Sequence, residues 1–393
     1  MAAAASRGLD PRTAGRLVRA PEKPAPGASL RHKAARRTGL FGPPRPRVKT
    51  KDIAVMTRQL STMISAGIPL LESMEILEDQ TSDAGFKVVL DKIIERVRAG
   101  SDFSSALAEQ PRLFSRIYVN MIKAGESSGQ LDVILQRLAD YMESVEELKR
   151  EIKSAMTYPV ISLVLILSIT VGIVVGVVPQ FQAIFVQLGA KELPAPTQIL
   201  LKISNALTVH YLALLSVLAV AVISFALYIR TNPGQWQWHW FLLHVPVFGP
   251  LFRKVAISRF SRTFATLIES GVPMLGALDI VAATAGNVLV ETAVLKAKEA
   301  VSRGETLGDP LAATRVFAPM VTRMIAIGEK TGALEKLLMK IADFYDQEVR
   351  ATVKALTSLI EPLMISATGL IVGFIVLAIF LPILQMQRIV SGS

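Results

Sequence analysis

The residues able to do chemistry are few and scattered. The chain has 393 residues and no Cys, which excludes disulfides, thiolate nucleophiles and Cys-ligated metal centres. Its four His, at His32, His210, His239 and His244, show no HExxH or comparable ligand spacing. No Ser, His and carboxylate fall into a nucleophile–base arrangement by sequence logic. No catalytic, cofactor-binding or metal-ligating residue is assigned, and neither enzymatic activity nor a cofactor is expected. What recurs instead is a Gly-Glu-x-x-Gly motif: Gly125, Glu126 and Gly129, then Gly328, Glu329 and Gly332. Neither copy resembles a phosphate-binding glycine loop. The first Gly is expected to break the preceding helix. The Glu suits the N-terminal dipole of the next helix, and the second Gly permits a tight turn. Such a corner either shapes a helix–helix junction or docks a partner.

A second group of residues marks where the chain meets a membrane. Mean hydropathy is +0.44 and only 19% of residues are charged, too apolar for an ordinary soluble protein. Three uncharged stretches are long enough to span a bilayer: 159–178, 211–229 and 363–381. Tyr158-Pro159 opens the first and Glu361-Pro362 the third. Both prolines are expected to kink or hinge their junctions. Glu361 is either a hydrated interface acid or a contact for packing or a partner; Arg350 and Lys354 are the cations upstream of it. Gly172 with Gly176, and Gly369 with Gly373, form GxxxG patterns that predict close helix association inside the membrane. No ionisable residue lies inside any span, which argues against an ion or proton transporter.

Charge sets the orientation. Lys149, Arg150 and Lys153 precede the first span, and Arg230, Arg253, Lys254, Arg259 and Arg262 follow the second. Only Lys191 and Lys202 lie between spans one and two, and only Arg388 follows the third. The positive-inside rule then predicts a cytoplasmic N-terminus, a cytoplasmic 230–362 segment, and an extracytoplasmic 179–210 loop and C-terminus. The net charge of +11 belongs almost wholly to residues 1–50, which hold 12 Lys and Arg against two acids. That tail is too poor in apolar residues to fold alone and is expected to be disordered and solvated, or to touch anionic lipid. No aromatics interleave with its charges, so no nucleic-acid partner is expected. Trp236, Trp238 and Trp240 cluster just past the second span, as an interfacial aromatic belt or as core of the following domain.

An internal repeat organises the rest. RQLSTMISAGIPLL at 58–71 reappears as RTFATLIESGVPML at 262–275. Arg58, Gly67 and Pro69 thus match Arg262, Gly271 and Pro273 at an offset of 204. After a one-residue gap near Pro111 the offset becomes 203, and 112–141 aligns with 315–344. Each copy shows helical periodicity and ends at the mouth of a span. The expected fold is all-α: an integral membrane protein with two repeated helical bundles and three spans. Its parts are a tail (1–50), a first bundle (51–158), span one (159–178), a loop (179–210), span two (211–229), a second bundle (230–362), span three (363–381) and a short tail (382–393).

These features together resemble one family, the PilC/GspF inner-membrane platform proteins of type IV pilus and type II secretion machines. The resemblance covers about residues 48–385 and rests on SAGIPL with ESGVPM, AGESSG with IGEKTG, TYP before span one and EPL before span three. VPQFQAIFVQLGAKELPAPT and LHVPVFGPLFRK add to it, and VKTKDIAVMTRQL favours the pilus branch. The resemblance implies a non-enzymatic, homo-oligomeric, multi-pass scaffold of the bacterial inner membrane. It would couple a cytoplasmic hexameric ATPase to insertion or extraction of pilin transmembrane helices, beside other inner-membrane pilus assembly proteins. The equivalent platform of a type II secretion system is the alternative, and a transporter a remote one. Many members begin with a small folded segment that is interrupted here by Pro- and Arg-rich sequence.

Overall fold

The computed structural model describes residue 46 and residues 48–181 and 194–390. Most of the expected N-terminal tail, residues 182–193 of the expected loop and residues 391–393 lie outside the described residues. The described chain is helical, with no strand among the described residues.

The first repeat holds α1 (Thr50–Ser65), α2 (Leu70–Gln80), α3 (Ala84–Arg98), α4 (Phe103–Ala108), α5 (Arg116–Ser128) and α6 (Leu131–Gly172). Then come α7 (Ala195–Thr208), α8 (Tyr211–Ile229) and α9 (Asn232–His244). The second repeat holds α10 (Gly249–Glu269), α11 (Met274–Thr284), α12 (Val288–Ser302), α13 (Gly308–Ala313), α14 (Pro319–Thr331) and α15 (Leu334–Val390). Local chemistry sets these bounds. Asp83 caps α3 by accepting from the Phe86 amide at 2.7 Å, and Ser115 caps α5 through the Tyr118 amide. Helices stop where glycine supplies a left-handed residue: φ is +85° at Gly67 and +80° at Gly271, then +70° at Gly129 and +69° at Gly332. The repeat is thus written in the backbone as well as in the side chains.

Each bundle closes around its stem helix. In the first, Leu60, Leu90, Met121, Leu135 and Leu138 are fully buried, and Tyr118 stands in their midst with its hydroxyl 3.1 Å from Thr57 Oγ1. Burial pushes the Tyr118 phenol up to about 12. In the second, Phe260, Phe264, Val290, Ile325 and Leu338 take the core. One apolar cluster runs through both bundles.

Among the described residues three helices are long and apolar enough to cross a membrane: Leu131–Phe181, Tyr211–Ile229 and Leu334–Leu384. Two of them are also the stems of the bundles, so no loop separates bundle from membrane. The helices continue through Pro159 and Pro362. A π-helical turn, Ile173–Val177, ends α6. The expected loop at 179–210 contains helix α7, which packs back on the spans. Its Leu200 and Leu201 are buried against Val174, Val178, Ile375 and Ala378.

Candidate functional site

Arg58 and Arg262 each clamp the first long helix of a repeat to that repeat's stem. Arg58 on α1 donates to both carboxylate oxygens of Glu143 on α6, at 2.7 and 2.6 Å, and to Asp140. Arg262 on α10 donates to Asp343 at 3.0 Å and to Asp346, both on α15. Asp140 and Glu143 align with Asp343 and Asp346 at the offset of 203. A planar guanidinium suits this two-acid grip because it donates in a fixed fork. The Arg58 guanidinium holds the Glu143 carboxyl below its usual range and is itself raised by the two acids. The second clamp is the more buried, with Arg262 and Asp346 side chains each 13% exposed, and Ser258 also donates to Asp346. Sequence reasoning finds the two arginines through the repeat and misses their acids. The signal is nevertheless present, since both acids of each pair sit at equal offsets within LADYMESVEE and IADFYDQEV.

The Gly-Glu corners are built differently from the expectation. Gly125 and Gly328 do not break helices; they lie buried inside α5 and α14. Their role is close approach to the next helix. A Cβ on Gly125 would stand 3.0 Å from Ile134 Cβ, and one on Gly328 would stand 2.9 Å from Leu334 Cα. Glu126 does not serve the helix that follows. It accepts from the amides of Phe103 and Ser104, at 2.5 and 3.1 Å, and so caps the preceding short helix α4. Glu329 repeats this, accepting from the Leu307 amide at 3.1 and 2.9 Å, beside the start of α13. Gly129 and Gly332 stand at the C-caps of α5 and α14 in the left-handed region. Pro69 and Pro273 stand at the N-caps of α2 and α11, one residue before the first helical position.

The two stems meet just below the spans. Arg350 on α15 lies 3.2 Å from Glu147 and 2.9 Å from Glu151 on α6. It is therefore engaged away from Glu361, which makes no ion pair among the described residues. Tyr158, Glu361 and Pro362 are exposed, while Pro159 is buried. Leu148, Ile152, Ala155, Val349 and Val353 wall a cavity of about 280 Å³ between the stems, with Lys354 at its edge.

Within the spans the contact runs through Val174, Val178, Ile375 and Ala378. Ser204 donates to the Val174 carbonyl at 2.7 Å, inside the π-helical turn, and Thr197 donates to the Ala378 carbonyl. Gly172, Gly176, Gly369 and Gly373 are not in this contact. All four are exposed, and a Cβ on any of them would meet nothing within 4 Å. The expected glycine-mediated approach therefore does not occur within one chain.

The tryptophans lie on α9, which folds back against the end of α8. Trp238 packs edge-on against Phe225 at 5.3 Å, and Tyr228 donates to Gln237 at 2.8 Å. Trp236 and Trp240 are 48% and 45% exposed, so they are not bundle core. On the opposite side His239 Nδ1 accepts from the Val288 amide of α12 at 3.1 Å, and burial lowers its pKa. Among the described residues no three His, Asp or Glu side chains are grouped to hold a metal ion.

Comparison with known proteins places this architecture. The family model for type II secretion system protein F matches twice, at residues 56–179 and 260–382. The type IV pilus assembly protein PilC of Myxococcus xanthus is 43% identical over 339 residues, covering 86% of this chain and 81% of that protein. PilC of Thermus thermophilus is 46% identical over 336 residues, covering 85% and 82%. The type II secretion system protein F of Vibrio cholerae is 34% identical over 345 residues, covering 88% and 84%. Each copy of the family model takes in one Gly-Glu corner, one stem with its span and the arginine that clamps the first long helix to that stem, and on this ground the chain belongs to the type II secretion system protein F family.

Proposed function

We propose that this chain is the inner-membrane platform of a type IV pilus assembly machine. The observation that carries the reading is that the PilC proteins of Myxococcus xanthus and Thermus thermophilus are 43% and 46% identical along more than four fifths of their length, against 34% for the protein F of Vibrio cholerae. In this reading the N-terminus and both bundles face the cytoplasm and the C-terminus faces outward, in accord with the positive-inside rule. A cytoplasmic hexameric ATPase acts on the bundles. Because α6 and α15 pass from bundle into membrane without a loop, a push on a bundle reaches its span directly. Pilin transmembrane helices, other inner-membrane pilus assembly proteins and further copies of this chain are the partners within the bilayer. The Gly-Glu corners shape the bundles that the ATPase meets.

The purified protein in nanodiscs is expected to have no turnover of its own and to change the turnover rate of its cognate assembly ATPase. An unchanged ATPase rate at saturating platform would count against the coupling. The secretion-system reading is favoured instead if loss of the chain stops export of folded proteins and leaves pili intact.

A further inference from the structure

The contact between the two repeats is one-sided away from the membrane. Tyr141 on α6 sets its hydroxyl 3.1 Å from Thr263 Oγ1 on α10, and Arg137 lies 3.4 Å from the Glu269 carboxylate. The face of α10 beneath is closed: Thr263, Thr266 and Ser270 are 1%, 4% and 7% exposed. The repeat puts Phe344 and Lys340 of α15 at the positions of Tyr141 and Arg137. It puts Gln59, Thr62 and Ala66 at the positions of Thr263, Thr266 and Ser270. A two-fold arrangement would bring these together as well. They stay open instead: Phe344 is 45% exposed, Val55 on the same α1 face is 49% exposed, and Gln59, Thr62, Ala66 and Lys340 are all exposed. Each chain thus uses one copy of the interface and leaves one half of a second copy at either end.

We propose that a second copy of this chain docks there head to tail. The α15 face around Phe344 of one copy lies across the α1 face around Gln59 and Val55 of the next, as α6 lies across α10 within a chain. The chemistry favours this occupant. Phe344 keeps the aromatic ring of Tyr141 and Val55 adds apolar surface opposite; the polar pairs of the contact within the chain become Phe344 with Gln59 and Lys340 with Ser65, so apolar burial carries this copy of it. Glu147 meets Arg350 and Val174 packs with Ile375, so the two stems run in the same sense, as spans of neighbouring copies in one bilayer must. Such a heterologous contact closes into a ring or extends as an array. The inference rests on the self-association within the proposed function and does not depend on which machine the platform serves.

The absence of native Cys makes the test direct. Two differently tagged copies are co-expressed, one carrying Gln59→Cys and the other Phe344→Cys, and membranes are treated with a short bismaleimide. A covalent species bearing both tags is expected, and it should be absent when either cysteine is missing. Arg137→Cys with Glu269→Cys in one chain, at the partly exposed edge of the same contact, shows that the reagent spans this geometry. Failure of the Gln59/Phe344 pair to link while that control links would overturn the proposal, as would self-linking of Phe344→Cys alone. Independently, Phe344→Glu should lower the mass of the protein in nanodiscs by light scattering; an unchanged oligomer would contradict the contact. These readouts stand even if the pilus assignment fails.

Discussion

Arg350 reaches across the two stem helices to Glu147, 3.2 Å away, and the two residues hold the same position in successive repeats. Duplication has thus placed opposite charges where a repeat position meets its own copy. Identical charges there would repel, so this position is one at which the two repeats had to differ. Arg350 also pairs with Glu151, so exchanging all three charges, with Glu147→Arg, Glu151→Arg and Arg350→Glu together, should retain the contact, whereas Glu147→Arg alone should loosen it. Both side chains are about half exposed, so the expected loss is about 0.5–1 kcal/mol, read as a thermal shift in micelles. A triple variant no better than the single would contradict the pairing.

The two arginine clamps should differ in cost. Arg262→Met leaves Asp346 buried without its cation and should destabilise the second bundle by about 3 kcal/mol. Arg58→Met removes a more exposed clamp and should cost about 1 kcal/mol. Chemical unfolding of the two variants side by side checks the order; equal losses would contradict it.

Glycines in the bundles and in the spans should respond oppositely to alanine. Gly125→Ala and Gly328→Ala press a methyl against Ile134 and the Leu334 backbone, at an expected cost of about 1–3 kcal/mol. Gly172→Ala and Gly369→Ala meet open space, so the fold of the single chain should be unchanged. Thermal midpoints of the four variants decide this.

Glu126→Gln tests the cap on α4. A neutral amide should weaken the bonds from the Phe103 and Ser104 amides and cost about 1–2 kcal/mol, with faster hydrogen exchange at those two amides. A variant that is fully protected there yet fails in pilus assembly would assign the corner to docking.

His239 should make the α9–α12 contact sensitive to acid. Its neutral Nδ1 accepts from the Val288 amide, and burial depresses its pKa below the ordinary 6.5. The stabilisation is therefore present above about pH 6.5 and lost as pH falls through the depressed value. The protection factor of the Val288 amide should drop as pH is lowered from about 7 to about 5; a constant protection factor would contradict the assignment.

Much of this architecture is legible in the sequence because it is repeated. The offset of 204 places α11 and α12 on α2 and α3, and the shift to 203 after Pro111 places α14 on α5. The clamp acids stay hidden because their partner lies more than 80 residues away, and nothing local marks an acid as the mate of a distant arginine. The Gly-Glu corner misleads for a related reason. A Glu beside a helix start suggests a local cap, but the amides that Glu126 serves lie 23 and 22 residues upstream and become neighbours only when α4 packs on α5. The span glycines follow a pattern that states a capacity for close approach without naming the partner.

The most direct test of the platform role is a clean deletion of the gene followed by counting surface pili sheared from the cells. The account predicts no pili in the deletion strain and full recovery on complementation with the intact gene. Normal piliation in the deletion strain would contradict it.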